Sequence, residues 1–347
     1  MRVKRSPKLV AAALLAVGLL SMWVVGSQGA RGPTSSQDMG PVVVYSGRSE
    51  ALVGPLFEEF ERATGIDVRV RYGDTAELAA TLLEEGSRSP ADLFFAQDAG
   101  ALGAVAAAGL FEKLPQPLLD RVEPRFRSPH GSWIGVSGRA RVVAYSTERV
   151  RPEELPDSIT GFTDPRWKGR IGWPPTNGSF QAFVTALRKT LGEDGARQWL
   201  LGVKANEPKA YRNNTAIIQA IAAGEIDVGF VNHYYLYQFL AERGPSLPVR
   251  NYHPRAGDAG AMVNVAGVGL LKSSQHKEAA LRLIDFLLSR QAQEYFASQT
   301  YEYPLVVGVP AHPDLVPLER IKTPHIDLGD LADLETTLEL LWETGVL

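Results

Sequence analysis

Short apolar runs alternate with longer segments of helical period, and this alternation limits the fold more than any other feature of the sequence. The first apolar run, 41–45, predicts a strand, and Ser49 precedes a helical-period segment that ends at Gly65. Residues 67–72 alternate apolar and polar side chains, which predicts a second strand, and residues 91–95 predict a buried third strand. This order indicates an α/β fold, with a parallel sheet and helices on both of its faces.

The same order returns in the second half of the chain. The elements predicted there are strand 170–173, helix 179–191, helix 215–223 and strand 226–232. Further along, one long amphipathic helix is predicted over 275–298 and a final helix over 331–344. Two extended stretches, 138–146 and 261–271, join the two halves. Because the chain crosses between the halves twice, the sequence predicts two hinged lobes rather than two independent domains.

The hinge stretches set the expected lobe boundaries. We assign residues 41–140 and 268–312 to an N-terminal lobe, and residues 141–267 and 313–347 to a C-terminal lobe. In open α/β sheets, ligands bind where the carboxyl ends of strands meet the beginnings of helices. The ligand is therefore expected in the cleft between the lobes.

The first thirty residues have the pattern of a segment that directs export from the cytoplasm. Four basic residues between positions 2 and 8 precede the apolar, uncharged run 9–26, which is typical of a secretory signal peptide or an uncleaved N-terminal anchor. The run is at the short end of the length that spans a bilayer, so both interpretations of residues 1–30 stay open. We expect a periplasmic or extracytoplasmic protein, either free or tethered by this segment.

Composition and missing motifs exclude several functions. The formal net charge is −3 at pH 7, and the basic N-terminal segment leaves the rest of the chain still more acidic, so nucleic acid is not expected as a partner. The chain has no cysteine, which excludes disulfides, thiolate metal sites and a cysteine nucleophile. Its six histidines show no zinc-ligand spacing, and no Walker, nucleophile-elbow or dinucleotide-binding motif is present. The sequence therefore predicts a protein that is not an enzyme.

Tyr234 and Tyr235 form an unusual pair at a predicted strand end, directly after residues 226–232. Phenolate is a hard anionic oxygen ligand. Its ordinary pKa is near 10, so at neutral pH it forms only beside a strongly polarising cation, and ferric iron is such a cation. Taken alone, the pair is more typical of aromatic residues that pack at the start of a helix, with Tyr237 and Phe239 close by.

Two loops add polar groups at neighbouring strand ends. Residues 176–179 and 213–215 each precede a predicted helix. Small polar side chains and free backbone N–H groups at a helix start bind anions, although the same residues also serve as plain helix caps. An anion beside a trivalent cation offsets part of its charge and fills coordination positions.

Eight stretches of the sequence carry a family resemblance, namely 43–48, 89–95, 137–145, 211–214, 224–227, 232–235, 271–276 and 301–305. In this order and spacing they resemble the periplasmic ferric-ion-binding proteins of bacterial ABC iron importers. The resemblance covers nearly all of residues 41–347. The segment between 211 and 235, which holds the tyrosine pair, is its most specific part.

The resemblance implies the two-lobed periplasmic-binding-protein fold of type II, in which two hinge strands let the lobes close over a ligand. It implies Fe³⁺ as the ligand, held by Tyr145, Tyr234 and Tyr235 together with a synergistic carbonate or bicarbonate. The residues implied to hold this anion are Asn177, Gly178, Ser179 and Asn214, with Arg139 or Arg141 as a guanidinium partner. The implied partner is an ABC transporter permease of the cytoplasmic membrane, and the protein is expected to be a monomer.

The chain departs from part of the family pattern. Some members use a histidine from the first loop and a glutamate after the third strand, where this chain has Ser49 and Gln97. Neither is a good ligand for ferric iron, so the histidine–glutamate type of site is excluded and the three-tyrosine type remains.

Two other functions stay open at the level of sequence. The same fold can bind a small organic anion or cation, such as a phosphonate, a polyamine or a thiamine-like solute, because a fold does not determine its ligand. In that case the tyrosines stack on the solute or pack against each other. An enzyme on a two-lobed scaffold is the remaining class, and it requires a nucleophile or an acid–base pair in the cleft.

Overall fold

The computed structural model describes residues 40–347. The predicted export segment, residues 1–30, lies outside the described residues. Among residues 40–347, no helix combines the length and the apolar character that crossing a membrane requires.

Strands and helices alternate along the described chain, as the sequence predicts. The strands are β1 (Val42–Ser46), β2 (Val68–Tyr72), β3 (Leu93–Ala96), β4 (Ile134–Ser146), β5 (Ile171–Trp173), β6 (Lys209–Ala210), β7 (Val228–Asn232), β8 (Val249–Tyr252), β9 (Val263–Leu270) and β10 (Tyr303–Pro304). The α-helices are α1 (Glu50–Thr64), α2 (Thr75–Glu85), α3 (Ala99–Ala107), α4 (Gln116–Leu119), α5 (Gly178–Ala205), α6 (Asn214–Ala222), α7 (Tyr234–Arg243), α8 (Lys277–Leu287), α9 (Arg290–Gln299) and α10 (Leu334–Glu343).

One long strand, β4, joins two sheets. The strand order is β2-β1-β3-β9-β4-β7-β5-β6, and β8 and β10 also pair with β4. Residues 134–140 of β4 pair with β9, whereas residues 141–145 pair with β7. The change of sheet therefore falls between Ala140 and Arg141, within a strand that is buried throughout. We call the β2-β1-β3-β9 side the first lobe and the β7-β5-β6 side the second lobe.

The structure corrects the long helix predicted over 275–298. Two helices, α8 and α9, occupy this range, and Ser289 separates them. Its backbone is extended, and its side chain accepts a hydrogen bond from the Ala292 N–H, so it begins a new helix as an N-cap. The amphipathic period continues through the break because both helices cover the same sheet.

One predicted helix boundary also differs from the structure. Helix α5 continues past residue 191 to Ala205, with a break at Gly192, where a φ of 75° favours glycine. The expected lobe boundary at 267–268 falls inside β9, which pairs within the first-lobe sheet from Val263 onward.

An aromatic core supports the second lobe beneath the strand ends that face the cleft. Its rings contact one another at centroid distances between 5.1 and 5.9 Å. They are Phe162, Trp167, Trp173, Phe180, Phe183, Trp199 and Phe230. Because Phe180 belongs to the first turn of α5 and Phe230 to β7, this packing fixes the start of α5 against the end of β7.

Candidate functional site

Tyr234 and Tyr235 begin α7, directly after β7 ends. Their rings stack with centroids 4.2 Å apart and planes 27° apart. A hydrogen bond between the two side chains contributes to the raised pKa of Tyr235, after burial and the charge of Tyr234. Neighbouring side chains usually diverge, but the strand-to-helix transition brings these two phenols together. The two phenol groups therefore lie close together, as the sequence predicts for adjacent residues at the end of a strand.

His233 attaches this pair to the hinge. Its N–H donates to the Ala140 carbonyl at 3.0 Å, and its Nδ1 accepts from the Ala140 N–H at 3.1 Å. Because Nδ1 is an acceptor, the proton is on Nε2, which donates to the Tyr301 carbonyl at 2.8 Å. Burial lowers the pKa of His233 to about 3, so the imidazole is neutral. The tyrosines thus begin one residue away from the point where β4 changes sheets.

Two buried arginines lie on the same face of β4, since they are two residues apart. Arg139 is 1% exposed and Arg141 is 2% exposed. The Nη2 atoms donate to the carbonyls of Val265 and Phe230, whereas Nε and Nη1 of both side chains have no hydrogen-bond partner among residues 40–347. Burial lowers the pKa of Arg141 to about 9, opposed by Tyr235, and the group stays charged at neutral pH. Arg139 acts on Tyr235 too, because its charge works against the rise of the tyrosine pKa.

A third buried arginine, Arg48, reaches the pair from the first lobe. It follows β1 and forms a fully buried ion pair with Glu302, which also accepts from the Ser137 hydroxyl. Burial acts to lower the pKa of Arg48, but Glu302, Tyr234 and Tyr235 together raise it above its ordinary value. Its Nε has no hydrogen-bond partner among the described residues.

The two polar loops meet at the second-lobe side of the cleft. Asn177 caps α5, and its side-chain oxygen accepts from both the N–H and the hydroxyl of Ser179. Asn214 is fully buried, accepts from the Asn232 N–H at 2.9 Å and donates to Asn177 at 3.5 Å. Asn214 therefore ties the end of β7 to the cap of α5.

A cavity of about 100 Å³ lies between the two lobes. Gly178 and Asn177 line it from the second lobe, and Gln97 and Asp98 line it from the first. A side chain at position 178 would meet no atom within 4 Å, so the start of α5 is open toward this space. Burial raises the pKa of Asp98, while its N-cap hydrogen bonds and Arg139 oppose the rise.

The structure does not bring Tyr145 to the tyrosine pair. Tyr145 pairs with Val228 at the beginning of β7, whereas Arg141 pairs with Asn232 at its end. Four residues of strand separate the two positions, which is about 13 Å. The charged groups that act on the pKa of Tyr145 are Arg250 and Glu153, after burial, and none belongs to the site described above. The predicted three-tyrosine set thus has two members at the C-terminal end of β7 and the third beside its beginning.

Sequence reasoning missed Arg48 and Glu302 as parts of this site. Both lie in stretches that carry the family resemblance, 43–48 and 301–305. A charged residue directly after a buried strand is a usable signal for Arg48, because a strand end in an α/β sheet faces the cleft. Glu302 has no such signal, since its burial depends on the packing of β10 against β4.

The arrangement favours an oxygen-ligated cation together with an anion. Among residues 40–347, no group of three or more His, Asp or Glu side chains is placed to hold a metal. A metal bound here must use the phenols, which are hard ligands suited to hard cations. The unpaired N–H groups of the three arginines need acceptors, because an unsatisfied buried donor is costly.

The chain belongs to the bacterial extracellular solute-binding protein family, whose model matches residues 88–328. Its fold is the two-lobed periplasmic-binding-protein fold of type II, as its structural neighbours have it. The chain is 35% identical to the Fe(3+)-binding periplasmic protein of Serratia marcescens, over 98% of this chain and all of that protein. It is also 35% identical to the major ferric iron-binding protein of Neisseria meningitidis serogroup B, over 88% of this chain and 93% of that one.

A solved structure of an iron-bound protein also resembles this chain. Iron-bound HitA from Pseudomonas aeruginosa superposes with a TM-score of 0.84 at 36% identity, covering 88% of this chain and 99% of HitA. The resemblance to periplasmic ferric-ion-binding proteins that the sequence predicts is therefore confirmed at the level of the family. The proteins it resembles are named as binding proteins, which agrees with the expectation that this chain is not an enzyme.

Proposed function

We propose that this protein is an extracytoplasmic receptor for ferric iron that delivers the ion to an ABC importer. The observation that carries the proposal is the stacked Tyr234–Tyr235 pair, surrounded by three buried arginines with unpaired N–H groups. Relatives at 35% identity are named for ferric iron binding, which supports the same cargo here. Iron is the transported substrate in this proposal and not a resident cofactor.

The two phenols supply the protein ligands. Burial raises the pKa of Tyr235 well above 10, so the metal-free site holds a neutral phenol at neutral pH. A trivalent cation is strong enough to displace that proton, whereas a divalent ion of similar size gains less from the phenolate. Iron binding therefore releases protons, and iron affinity falls as the pH is lowered.

Charge balance calls for an anion beside the iron. Arg48, Arg139, Arg141 and Fe³⁺ bring six positive charges, against three negative charges from two phenolates and Glu302. Buried uncompensated charge is strongly unfavourable, so a multiply charged anion fits better than a monoanion. Carbonate is the anion that the family resemblance implies, and its planar oxygens match guanidinium donors.

The start of α5 is the proposed second anchor of this anion. Gly178 opens toward the cavity, and the helix N-terminus favours negative charge. We therefore place the anion between Arg139 or Arg141 and residues Asn177–Ser179, with Asn214 as the residue that positions the cap.

Tyr145 is not part of the proposed iron site. Its distance along β4 from Arg141 is about 13 Å, and its neighbours are Arg250 and Glu153. The two-tyrosine site with an anion replaces the three-tyrosine expectation from the sequence.

A retention assay tests the proposal. Purified protein is loaded with ferric iron in buffer with bicarbonate and in buffer without it, and is then challenged with increasing citrate. We expect about one equivalent of iron per chain, and release at lower citrate when bicarbonate is absent. Protein that retains no iron in either buffer contradicts the receptor function. Release at the same citrate concentration in the two buffers contradicts the carbonate part alone.

A further inference from the structure

The last segment of the chain lies against both lobes. A 3₁₀ helix, Leu328–Ala332, packs along α3, which follows β3 of the first lobe. Helix α10 packs along α5, which follows β5 of the second lobe. One residue, Asp333, separates the 3₁₀ helix from α10. The chain therefore passes from the first lobe to the second across a single residue here, in addition to its passage along β4.

Two glycines of α3 let the 3₁₀ helix approach the α3 backbone closely. Gly100 and Gly103 are three residues apart, so they lie on the same face of α3. A Cβ atom at position 100 would lie 2.5 Å from the Leu331 carbonyl oxygen, and one at position 103 would lie 2.8 Å from Cβ of Ala332. Leu331 is buried. A larger residue at either glycine would push the 3₁₀ helix away, so the first lobe holds this end of the segment tightly.

A buried arginine holds the other end of the segment. Arg188 of α5 is 4% exposed, and its Nη1 donates to the Asp333 carbonyl at 2.9 Å and to the Thr337 hydroxyl at 2.8 Å. Its Nη2 donates to the Asp333 carboxylate at 2.8 Å, and its Nε donates to Glu193. The Thr337 hydroxyl also hydrogen-bonds the Thr185 hydroxyl at 2.7 Å, and both residues are fully buried. These bonds fix Asp333 and the start of α10 to the second lobe.

The one-residue link lies beside the cavity between the lobes. Leu331 and Leu334, on either side of Asp333, line this cavity. Gln97 of the first lobe and Gly178 of the second lobe line it too. Asp333 has a φ of −79° and a ψ of 64°, which are the angles of a tight inverse γ-turn. One residue spans at most about 3.6 Å, so a movement that separates the lobes at this cavity must turn about Asp333 or detach one end.

We propose that residues 328–343 form a strap that limits how far the two lobes separate, with Asp333 as its pivot and Arg188 as the residue that fixes it to the second lobe. A hinge residue absorbs changes of φ and ψ while the elements on either side stay rigid. A short link also keeps the two lobes at a high effective concentration relative to each other. The metal-free protein is therefore held near the closed form, which leaves a smaller ordering cost for ligand binding. The limit on opening holds for any cargo, whereas its effect on iron affinity rests on the proposed ferric function.

The experiment lengthens the link and leaves the residues at both of its ends unchanged. The sequence Gly-Ser-Gly-Ser is inserted between Ala332 and Asp333 in the full-length protein. The matched control carries the same insertion between Pro245 and Ser246, two exposed residues of the loop between α7 and β8. Arg188→Met is the second variant, and it removes the hydrogen bonds from α5 to Asp333.

Pulsed electron paramagnetic resonance measures the distance between the lobes. The chain has no cysteine, so spin labels attach only to Glu77→Cys in α2 and Ala210→Cys in β6, which are exposed positions. Each labelled protein is measured without metal and after loading with ferric iron in bicarbonate buffer. Competition with citrate measures the iron affinity, and circular dichroism checks that each variant is folded.

We expect the insertion at the link to lengthen and broaden the metal-free distance distribution, whereas the iron-loaded distance stays that of wild type. Iron affinity falls by about 10-fold, because the entropic cost of bringing two chain ends together rises with the logarithm of the length between them. Arg188→Met lengthens the metal-free distance less, since Thr337 still contacts Thr185. The control insertion matches wild type.

The outcomes separate the strap from the receptor function. A metal-free distance distribution that is the same in wild type and in the protein with the longer link overturns the strap. A change of equal size in the control insertion also overturns it, because any insertion then loosens the protein. Wild-type distances in Arg188→Met contradict the role of Arg188, and the insertion still decides the strap if this variant does not fold. A wild type that retains no iron contradicts the receptor function, while the metal-free distances still test the strap.

Discussion

The two ends of β7 each have tyrosine side chains nearby, in opposite settings. At the C-terminal end of β7, Arg141 of β4 pairs with Asn232, and the Tyr234–Tyr235 pair begins after one intervening residue, His233. At the other end, Tyr145 lies next to the beginning of β7 and across from Arg250. Tyr145 is 8% exposed and Tyr234 is 1% exposed, so burial alone does not separate them.

The difference is in the charges that surround each phenol. Three buried guanidinium groups surround the pair, and the Nε of each has no hydrogen-bond partner among residues 40–347. Tyr145 has one arginine near it, and that arginine donates to the carbonyls of Leu247 and Val249 at 2.8 and 2.7 Å. A phenolate and an anion are stabilised at the first end and not at the second. A tyrosine therefore becomes a candidate ligand through its neighbours and not through its position on a cleft-facing strand alone.

The largest expected effect comes from removing one hydroxyl at each end. Tyr234→Phe and Tyr235→Phe each lower ferric affinity by more than roughly 100-fold, because even outer-shell partners contribute 10- to 100-fold. Tyr145→Phe changes the affinity by less than about threefold. Competition with citrate measures all three, and circular dichroism checks that each variant is folded. An equal loss of ferric affinity in Tyr145→Phe and Tyr235→Phe contradicts the claim that only the Tyr234–Tyr235 pair binds iron.

The next effect concerns the anion at the arginine end. Arg141→Met keeps the packing against Phe180 and Phe183, over whose rings the guanidinium lies at 5.6 and 5.0 Å, and removes the charge. We expect iron affinity in bicarbonate buffer to fall by about 10- to 100-fold, and the difference between buffers with and without bicarbonate to shrink. Arg250→Met, at the Tyr145 end, serves as the control and leaves the bicarbonate dependence unchanged.

A smaller effect is expected at the cap of α5. Asn177→Asp keeps an efficient helix cap but adds a negative charge where the anion is proposed to bind. Stability to urea stays within about 0.5 kcal/mol of wild type, while iron affinity in bicarbonate falls by roughly 10-fold. An Asn177→Asp protein with wild-type affinity places the anion elsewhere.

The buried imidazole of His233, directly before the tyrosine pair, also makes the stability of the folded protein depend on pH. The pKa of His233 is about 3 in the folded protein, lower than the 6.5 of an exposed histidine. Between these values the unfolded chain binds the proton more readily, so stability is present above pH 6.5 and is lost as the pH falls toward 3. The metal-free protein should lose on the order of 1 kcal/mol per pH unit in this window through His233.

Urea unfolding at a series of pH values measures this dependence. His233→Gln should have a flatter profile below pH 6.5, although its stability at pH 7 is lower because the contact with Ala140 is lost. His130→Gln, which changes an exposed histidine, should keep the wild-type slope. An unchanged slope in His233→Gln assigns the acid sensitivity to other groups.

Much of the fold could be predicted from the sequence because its elements have local signals. The alternation at 41–45 and 67–72 and the glycine at 65 predict β1, β2 and the end of α1 within a residue or two. The break between α8 and α9 was missed because the apolar period continues across Ser289, and a serine cap has little weight in an amphipathic run.

The site was predictable where the chemistry is contiguous and not where it depends on register. Tyr234 and Tyr235 are neighbours in sequence, and Asn177–Ser179 precede a helix, so both were recognised. Tyr145 was included because the family resemblance points to it, but four residues of strand register place it at the far end of β7. Glu302 reaches the site only through the pairing of β10 with β4, which no local pattern in the sequence records.

The most direct test is the visible absorption spectrum of iron-loaded wild type, Tyr145→Phe and Tyr235→Phe, recorded at equal protein concentration in bicarbonate buffer. We expect a phenolate-to-iron charge-transfer band in wild type, the same band in Tyr145→Phe, and a band that is lost or greatly weakened in Tyr235→Phe. A band that disappears in Tyr145→Phe and persists in Tyr235→Phe, or a colourless wild type that retains iron, contradicts a ferric site built on the Tyr234–Tyr235 pair.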